Sequence, residues 1–215
     1  MKDQTADFFQ RYAHDFDAIY GTKHSVFNAL INKYLRTSMR LRYERSLAAC
    51  QPLEHKTVLD VGCGPGHYSH ALAQMGARHV LGIDFAPAMI ELANQKAESL
   101  QLQEICEFIV ADFFALDETI GYDYSILMGF MDYMSDPLQT ILKALRITND
   151  RAVFSFPSSG GVLAWQRQLR YKKRCPLYLY SRKDLVALFD QVPNITYTIA
   201  PIARDFFVTV NILHN

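Results

Sequence analysis

The sequence lacks any apolar run long enough to cross a membrane. Its densest apolar stretch, residues 125–131, is much shorter than the roughly 20 residues that a transmembrane helix needs. The first seven residues contain no apolar core of the kind that signal peptides use. We therefore expect no membrane span and a cytoplasmic location, and 215 residues suit a single compact unit.

The sequence also lacks an excess of charge of either sign. Its 22 basic residues balance its 22 acidic residues. A nucleic-acid or membrane-surface protein usually carries a basic excess, so the balance argues against those partners. Half of the residues are apolar, which excludes a disordered tail or a low-complexity linker. A small molecule is the expected partner.

Cysteines are few and widely spaced. The four of them form no C-x-x-C pair and no Cys/His cluster with zinc spacing: Cys50, Cys63, Cys106 and Cys175. This pattern is typical of reduced thiols in a core or a loop. We expect neither a disulfide nor a metal site.

One region departs from the even charge. Residues 151–183 carry eight basic side chains and no acidic one, and five of the eight lie within residues 167–174. Such a cluster is consistent with a solvated helix face. The alternative is a positive wall that attracts an anionic substrate, with Arg167 and Arg170 as contacts.

Two kinds of pattern follow each other along the chain. Residues 4–19 and 24–49 show apolar residues at helical spacing, and Pro52 follows the second helix. From residue 56 onward, short β-branched runs alternate with helical segments, and two strands close the chain near residues 195–200 and 205–212. This predicts an N-terminal helical cap over residues 1–55 and a doubly wound α/β domain over residues 56–215.

The turn after the first strand carries the most specific motif. Asp60-Val-Gly-Cys-Gly-Pro-Gly66 lies between that strand and the next helix, where glycines allow a ligand to approach the backbone. A dinucleotide-binding turn needs its third glycine at position 67, which is His67 here. Asp60 would repel a pyrophosphate but attract a cationic group. The turn therefore suits a ligand with a positive group and no phosphates.

Two further carboxylates follow the next two strands. Asp84 can accept hydrogen bonds from both hydroxyls of a ribose, as acids at this place do in Rossmann folds. Asp112 can accept from an exocyclic amine, while Phe113 packs on the base. A ribose, an aminopurine and a cationic tail together describe S-adenosylmethionine.

These motifs resemble, in order and spacing, those of the class I S-adenosylmethionine-dependent methyltransferases. The resemblance is strong over residues 56–157 and is carried by the turn at 58–66, by Asp84 and by residues 111–113. It implies a Rossmann-like, seven-stranded, mostly parallel sheet with a terminal antiparallel hairpin. The N-terminal helices are similar to the lid of small-molecule members such as the ubiquinone-biosynthesis O-methyltransferases.

The resemblance also implies a set of cofactor contacts. In that family an arginine of the lid reaches the cofactor carboxylate, and the stretch at residues 40–43 makes Arg40 the candidate here; a solvated surface arginine is the alternative. Met128 is expected beside the sulfonium. The full set of cofactor-binding candidates is Arg40, Asp60, Gly62, Gly64, Gly66, Asp84, Phe85, Met89, Asp112, Phe113 and Met128.

The segment after the fourth strand bears on the methyl acceptor. Methylases of adenine, cytosine or glutamine carry an Asn/Asp-Pro-Pro-Tyr-type motif there, whereas this chain has Leu127-Met-Gly-Phe-Met-Asp-Tyr133. We therefore expect methylation of oxygen, on a small anionic or amphipathic molecule. No base is evident, and the candidates near the site are Asp132, Tyr133 and His14, with Tyr20 as a further substrate contact.

Other functions remain open from the sequence. A carboxyl methyltransferase of the porphyrin-pathway kind shares the N-terminal aromatic and arginine pattern. A partner protein could retain the cofactor without turnover, and RNA methylation could use the basic cluster at 167–174. The sequence leaves the acceptor and the oligomeric state undetermined.

Overall fold

The computed structural model describes residues 26–160 and 176–214. Within these residues, a long helix precedes seven strands and four further helices. The helices are α1 Val26–Ala49, α2 His67–Gln74, α3 Pro87–Ser99, α4 Pro137–Arg146 and α5 Arg182–Phe189. The strands are β1 Thr57–Val61, β2 His79–Asp84, β3 Cys106–Val110, β4 Tyr122–Leu127, β5 Thr148–Pro157, β6 Ile195–Ile202 and β7 Asp205–Ile212.

All seven strands form one sheet in the order β3-β2-β1-β4-β5-β7-β6. Strands β1 to β5 run parallel, and β7 pairs antiparallel with both β5 and β6. The prediction of a mostly parallel, seven-stranded sheet with a terminal antiparallel hairpin is confirmed. The strand order reverses between β1 and β4, so the carboxyl ends of these two strands mark the crevice where doubly wound folds bind ligands.

The two faces of the sheet bury separate apolar clusters, because successive side chains of a strand point to opposite faces. Val58 and Ile126 pack with residues of α2 and α3, whereas their neighbours Leu59 and Leu127 pack with residues of α4 and α5. All four side chains are fully buried. Continuous apolar strands of this kind are typical of a sheet covered on both faces.

The ends of two helices show how local sequence sets their boundaries. Helix α2 begins at His67, because Gly66 adopts a left-handed conformation with φ of 77° and caps the helix. Helix α5 begins with a capping box, in which Ser181 and Asp184 form both reciprocal hydrogen bonds.

The predicted N-terminal cap is described only from residue 26. The first predicted helix, residues 4–19, lies outside the described residues, so the division at residue 55 stays a prediction. In the described parts of the chain, none of the helices combines the length and apolar character that a bilayer crossing requires.

Candidate functional site

The turn from Gly62 to Gly66, here called the glycine turn, folds back against the end of β2. The amides of Gly62 and Cys63 both donate to the carbonyl of Ile83, at 2.8 and 3.0 Å. Gly62, Gly64 and Gly66 all have positive φ. A side chain at Gly66 would also lie only 2.8 Å from the ring of His70, so both conformation and space require glycine there. The turn thus exposes backbone at the carboxyl edge of the sheet.

Asp84, at the end of β2, is linked to the glycine turn. Its Oδ2 accepts from the Gly64 amide at 3.0 Å, and its Oδ1 accepts from the Ala86 amide at 2.9 Å. Burial raises the pKa of Asp84 above its ordinary value, and the backbone amides oppose that rise. Each carboxylate oxygen has two acceptor positions, so these bonds leave capacity for the hydroxyls of a ligand.

Asp60 lies beneath the glycine turn and is almost fully buried. Its Oδ2 accepts from the Ser69 hydroxyl at 2.7 Å. Burial raises the pKa of Asp60 from 3.8 to about 7, although the hydrogen bonds from Ser69 lower it. The carboxyl group therefore changes charge near neutral pH.

The segment from Asp112 to Leu116, here called the β3 turn, holds the residues predicted to meet the adenine. Asp112 is exposed, and its Oδ1 accepts from the Phe114 amide at 3.0 Å, capping a short 3-10 helix. Phe113 is buried, and its ring packs edge-on against Phe130, with centroids 5.7 Å apart. Hence the β3 turn contacts the segment that follows β4.

The other cofactor candidates lie on the same edge in different settings. Phe85, directly after Asp84, is partly exposed, whereas Met89 is buried within α3. Met128 is half-buried and packs against the cluster beneath α2 and α3. Phe130 lies close to Gly62, where an added Cβ would be 3.0 Å from its ring. The segment after β4 therefore adjoins the glycine turn.

The register of α1 presents Arg42, not Arg40, to this edge. The Arg40 side chain is 70% exposed and pairs with Glu44 on the same helix. The Arg42 side chain is only 14% exposed, and its Nε lies 3.8 Å from the buried carboxylate of Asp205. Sequence reasoning missed Arg42, although it lies within the stretch at 40–43 that drew attention to Arg40.

Arg42 reaches the ends of β4 and β5. Its Nη1 donates to the Ser155 hydroxyl at a long 3.5 Å, and Ser155 also accepts from the Gly129 amide at 2.7 Å. The Arg42 Nε is buried and has no hydrogen-bond partner among the described residues. A buried guanidinium with a spare donor suits an anionic ligand.

The residues predicted to meet the methyl acceptor, Asp132 and Tyr133, follow β4 and lie near the segment that precedes α5. Asp132 is buried in a short 3-10 helix, Met131–Tyr133, and its carbonyl accepts from the Tyr178 amide at 2.9 Å. Tyr180 is also buried, and its hydroxyl has no hydrogen-bond partner among the described residues. Burial, and to a smaller extent the charge of Asp132, raises the pKa of Tyr180. Tyr133 is half-buried beside this pair.

Four of the predicted residues lie outside the described part of the chain, namely His14, Tyr20, Arg167 and Arg170. Their roles stay predictions. Across residues 26–160 and 176–214, no three His, Cys, Asp or Glu side chains are grouped so that they could hold a metal ion.

Comparison with known proteins decides the family. A protein-family model described as a methyltransferase domain matches residues 53–186, more than half of the chain. The chain belongs to the S-adenosylmethionine-dependent methyltransferases. The resemblance to the small-molecule, class I branch is confirmed, and S-adenosylmethionine is its cofactor.

Two curated relatives share this methyltransferase's central region. A tRNA U34 carboxymethyltransferase of Shewanella halifaxensis is 31% identical over 105 residues, covering 47% of this chain and 31% of the relative. A ubiquinone biosynthesis O-methyltransferase of Leptothrix cholodnii is 38% identical over 90 residues, covering 41% of this chain and 38% of the relative. The chain thus spans about a third of the length of these relatives.

A solved structure matches the methyltransferase over nearly its whole length. Magnesium protoporphyrin IX methyltransferase of Synechocystis, solved with bound S-adenosylhomocysteine, gives a TM-score of 0.78 at 20% identity and covers 98% of this chain and 99% of its own. At that identity the match establishes the fold alone.

The methyltransferase's own residues fit the cofactor. The three glycines of the turn are left-handed, Asp84 retains acceptor capacity, and the buried Nε of Arg42 has no hydrogen-bond partner among the described residues beside its ion pair with Asp205. A pyrophosphate would instead meet the two carboxylates that border the glycine turn. The edge therefore suits a nucleoside with a zwitterionic tail.

Proposed function

We propose that this chain transfers a methyl group from S-adenosylmethionine to an oxygen atom of a small anionic or amphipathic molecule. The observation that carries the proposal is the contact between Phe130 and Gly62. It brings the segment 128–133, with its buried Asp132, beside the glycine turn. That segment lacks the motif of the amine and base methylases, so an oxygen acceptor is favoured over nitrogen.

The cofactor would be held at three points. Asp84 accepts from the ribose hydroxyls, and the β3 turn meets the adenine. Arg42 replaces Arg40 as the arginine that donates to the cofactor's carboxylate, because it alone of the two reaches the sheet edge. A bound S-adenosylmethionine supplies a methyl group that its sulfonium already activates. The protein therefore needs chiefly to align the acceptor and to exclude water.

The acceptor side offers one carboxylate and one phenol. Asp132 would accept the proton of a hydroxyl acceptor, which a neutral phenol or alcohol must lose. Tyr180 stays protonated at neutral pH, since burial raises its pKa, and can donate a hydrogen bond to the acceptor. His14, Tyr20, Arg167 and Arg170 stay candidates for further acceptor contacts.

A carboxyl acceptor is the second candidate. The fold match to magnesium protoporphyrin IX methyltransferase, which extends over nearly both chains, favours it. A porphyrin of that type carries carboxylates, which need no base before methylation. Both candidates require an acceptor that is anionic or amphipathic.

Isotope transfer separates the two candidates. The full chain is incubated with S-adenosylmethionine carrying a tritiated methyl group and with either a hydroxylated benzoate or a porphyrin dicarboxylate. Label that survives mild alkaline hydrolysis marks an ether, and label released as volatile methanol marks an ester. Asp132→Asn should abolish ether formation, whereas Asp117→Asn, a change at an exposed carboxylate, should preserve it.

Two results would contradict the proposal. Label found on nitrogen would exclude an oxygen acceptor. Cofactor binding without transfer to any oxygen acceptor would favour the remaining alternative, a partner protein that binds the cofactor without turnover.

A further inference from the structure

Lys143 lies inside the fold, which is unusual for a lysine. It belongs to α4, and its side chain is only 5% exposed. Its ammonium donates to the carbonyls of Phe114 and Leu116, at 3.1 and 2.9 Å, and to Oε1 of Glu118 at 3.2 Å. An ammonium has three donors, so these three acceptors satisfy it completely.

All the acceptors of Lys143 belong to the β3 turn or follow it directly. The ammonium also lies 5.8 Å from the centroid of the Phe113 ring, within range of a cation–π contact. The same turn presents Asp112, whose carboxylate caps it from the other side by accepting from the Phe114 amide. The shape of the turn therefore depends on Lys143 as well as on Asp112.

Arg146 provides a natural comparison on the same helix. It binds Glu118 through Nε and Nη2, at 2.6 and 3.0 Å, but half of its side chain is exposed. Among the described residues, its side chain donates to Glu118 and not to the carbonyls of Phe114 and Leu116. Loss of Arg146 would remove charge beside Glu118 while leaving the backbone of the turn bonded to Lys143.

We propose that Lys143 is a positioning residue for adenine recognition. By holding the carbonyls of Phe114 and Leu116, it fixes the turn in the shape that places Asp112 opposite the adenine amine. The inference rests on the proposed function, since it needs the nucleoside at this edge. Without the ammonium, the carbonyls of Phe114 and Leu116 lose their charged donor. The β3 turn then changes shape so that these carbonyls can bond to water.

The test measures base discrimination rather than activity. Calorimetry compares S-adenosylhomocysteine with S-inosylhomocysteine, in which an oxygen replaces the adenine amine. In the wild type, a hydrogen bond to a carboxylate should favour the adenine form by about 10- to 100-fold. Lys143→Met should reduce that preference to about twofold or less, whereas Arg146→Met should retain it. Thermal melting reports the stability of each variant.

Two outcomes would overturn the inference. One is a Lys143→Met protein that binds both nucleosides more weakly but with the wild-type preference, since this is the behaviour of a purely structural lysine. The other is a wild type without preference between the bases. A wild type that binds neither nucleoside would instead contradict the proposed function.

A milder variant covers the case in which Lys143→Met does not fold. Lys143→Gln retains an amide that can donate to one of the two carbonyls. Its preference for the adenine form should be smaller than that of the wild type and of Arg146→Met. It should still be greater than twofold. A Lys143→Gln preference equal to that of the wild type would count against a positioning role.

Discussion

The two ends of the cofactor edge each contain a buried cation, and the two cations are bonded differently. At the end formed by the glycine turn and the ends of β4 and β5, Arg42 pairs with the buried Asp205 at 3.8 Å and makes one long hydrogen bond, and its Nε has no hydrogen-bond partner among the described residues. At the β3 turn, the ammonium of Lys143 is fully satisfied by protein oxygens. Arg42 therefore retains donors that an anionic ligand can use. The donors of Lys143 are already bonded, mainly to the protein's own backbone carbonyls.

The difference shows how one edge can treat two parts of a ligand differently. A charged tail pairs best with a cation that still has donors to offer, because an unsatisfied buried donor is costly until a partner arrives. A neutral base is better met by a surface of fixed shape. Probes that carry only one of these parts can therefore separate the two ends.

The largest expected effect is at Asp84, which lies between the two ends. Asp84→Ala should weaken the binding of S-adenosylhomocysteine by about 3 kcal/mol, because two ribose hydroxyls lose their acceptor. This value is near the upper end of the range for hydrogen bonds to a charged group. Adenosine contains the same ribose, so its affinity should fall equally. Titration calorimetry with both ligands measures the effect, with Asp117→Ala as a control. An unchanged affinity would mean that the ribose lies elsewhere.

The next largest effect should be confined to the end of the cofactor edge that holds Arg42, which would bind the charged tail of the ligand. Arg42→Met should cost about 2 kcal/mol of affinity for S-adenosylhomocysteine, since the carboxylate loses a charged donor, while adenosine affinity stays the same. Arg40→Met removes an equal charge from the exposed face of the helix and should change neither. An equal loss for both ligands in Arg42→Met would indicate damage to the fold, and no loss would exclude the assignment.

The smallest effect is a pH dependence of stability at Asp60. Its pKa is about 7 in the folded protein and 3.8 ordinarily, so folding takes up a proton between these values. Protonated Asp60 thus favours the folded state at low pH, and this contribution is lost as pH rises through 7. Linkage gives a loss on the order of 1 kcal/mol from pH 6 to pH 8.

Asp60→Asn isolates this contribution, since the amide has nearly the same shape and does not titrate. Denaturant unfolding of the free protein at pH 6 and pH 8 should show a difference for the wild type that the variant lacks. Identical pH dependence in the two proteins would mean that Asp60 is charged throughout this range.

Local chemistry explains which features the sequence predicts. The strand–turn–helix pattern around the glycine turn, the acid ending β2 and the capping box at Ser181 all depend on neighbours within a few positions. Spacing therefore locates them well. The mostly parallel, seven-stranded sheet with its terminal hairpin follows from the family resemblance and the alternation of elements.

Features that depend on how distant elements meet were not visible in the sequence. Arg40 and Arg42 lie about 160° apart around their helix, and only the packing of α1 against β7 decides which of them is buried. From the sequence, a lysine at position 143 of an amphipathic helix is expected on the exposed face. Its burial depends on carbonyls 27 and 29 residues away, which no local pattern reports.

The two ends of the connection between β5 and α5 are joined by backbone hydrogen bonds. Ser159 donates to the Tyr180 carbonyl at 2.8 Å, and Tyr180 donates to the Pro157 carbonyl at 2.9 Å, so the chain leaves the sheet and returns to it at one place. Whatever is inserted between these residues need not alter the strands on either side. Residues 161–175 could therefore be exchanged for another sequence while the strands on either side keep their shape, which makes this joint a practical splice point for engineering.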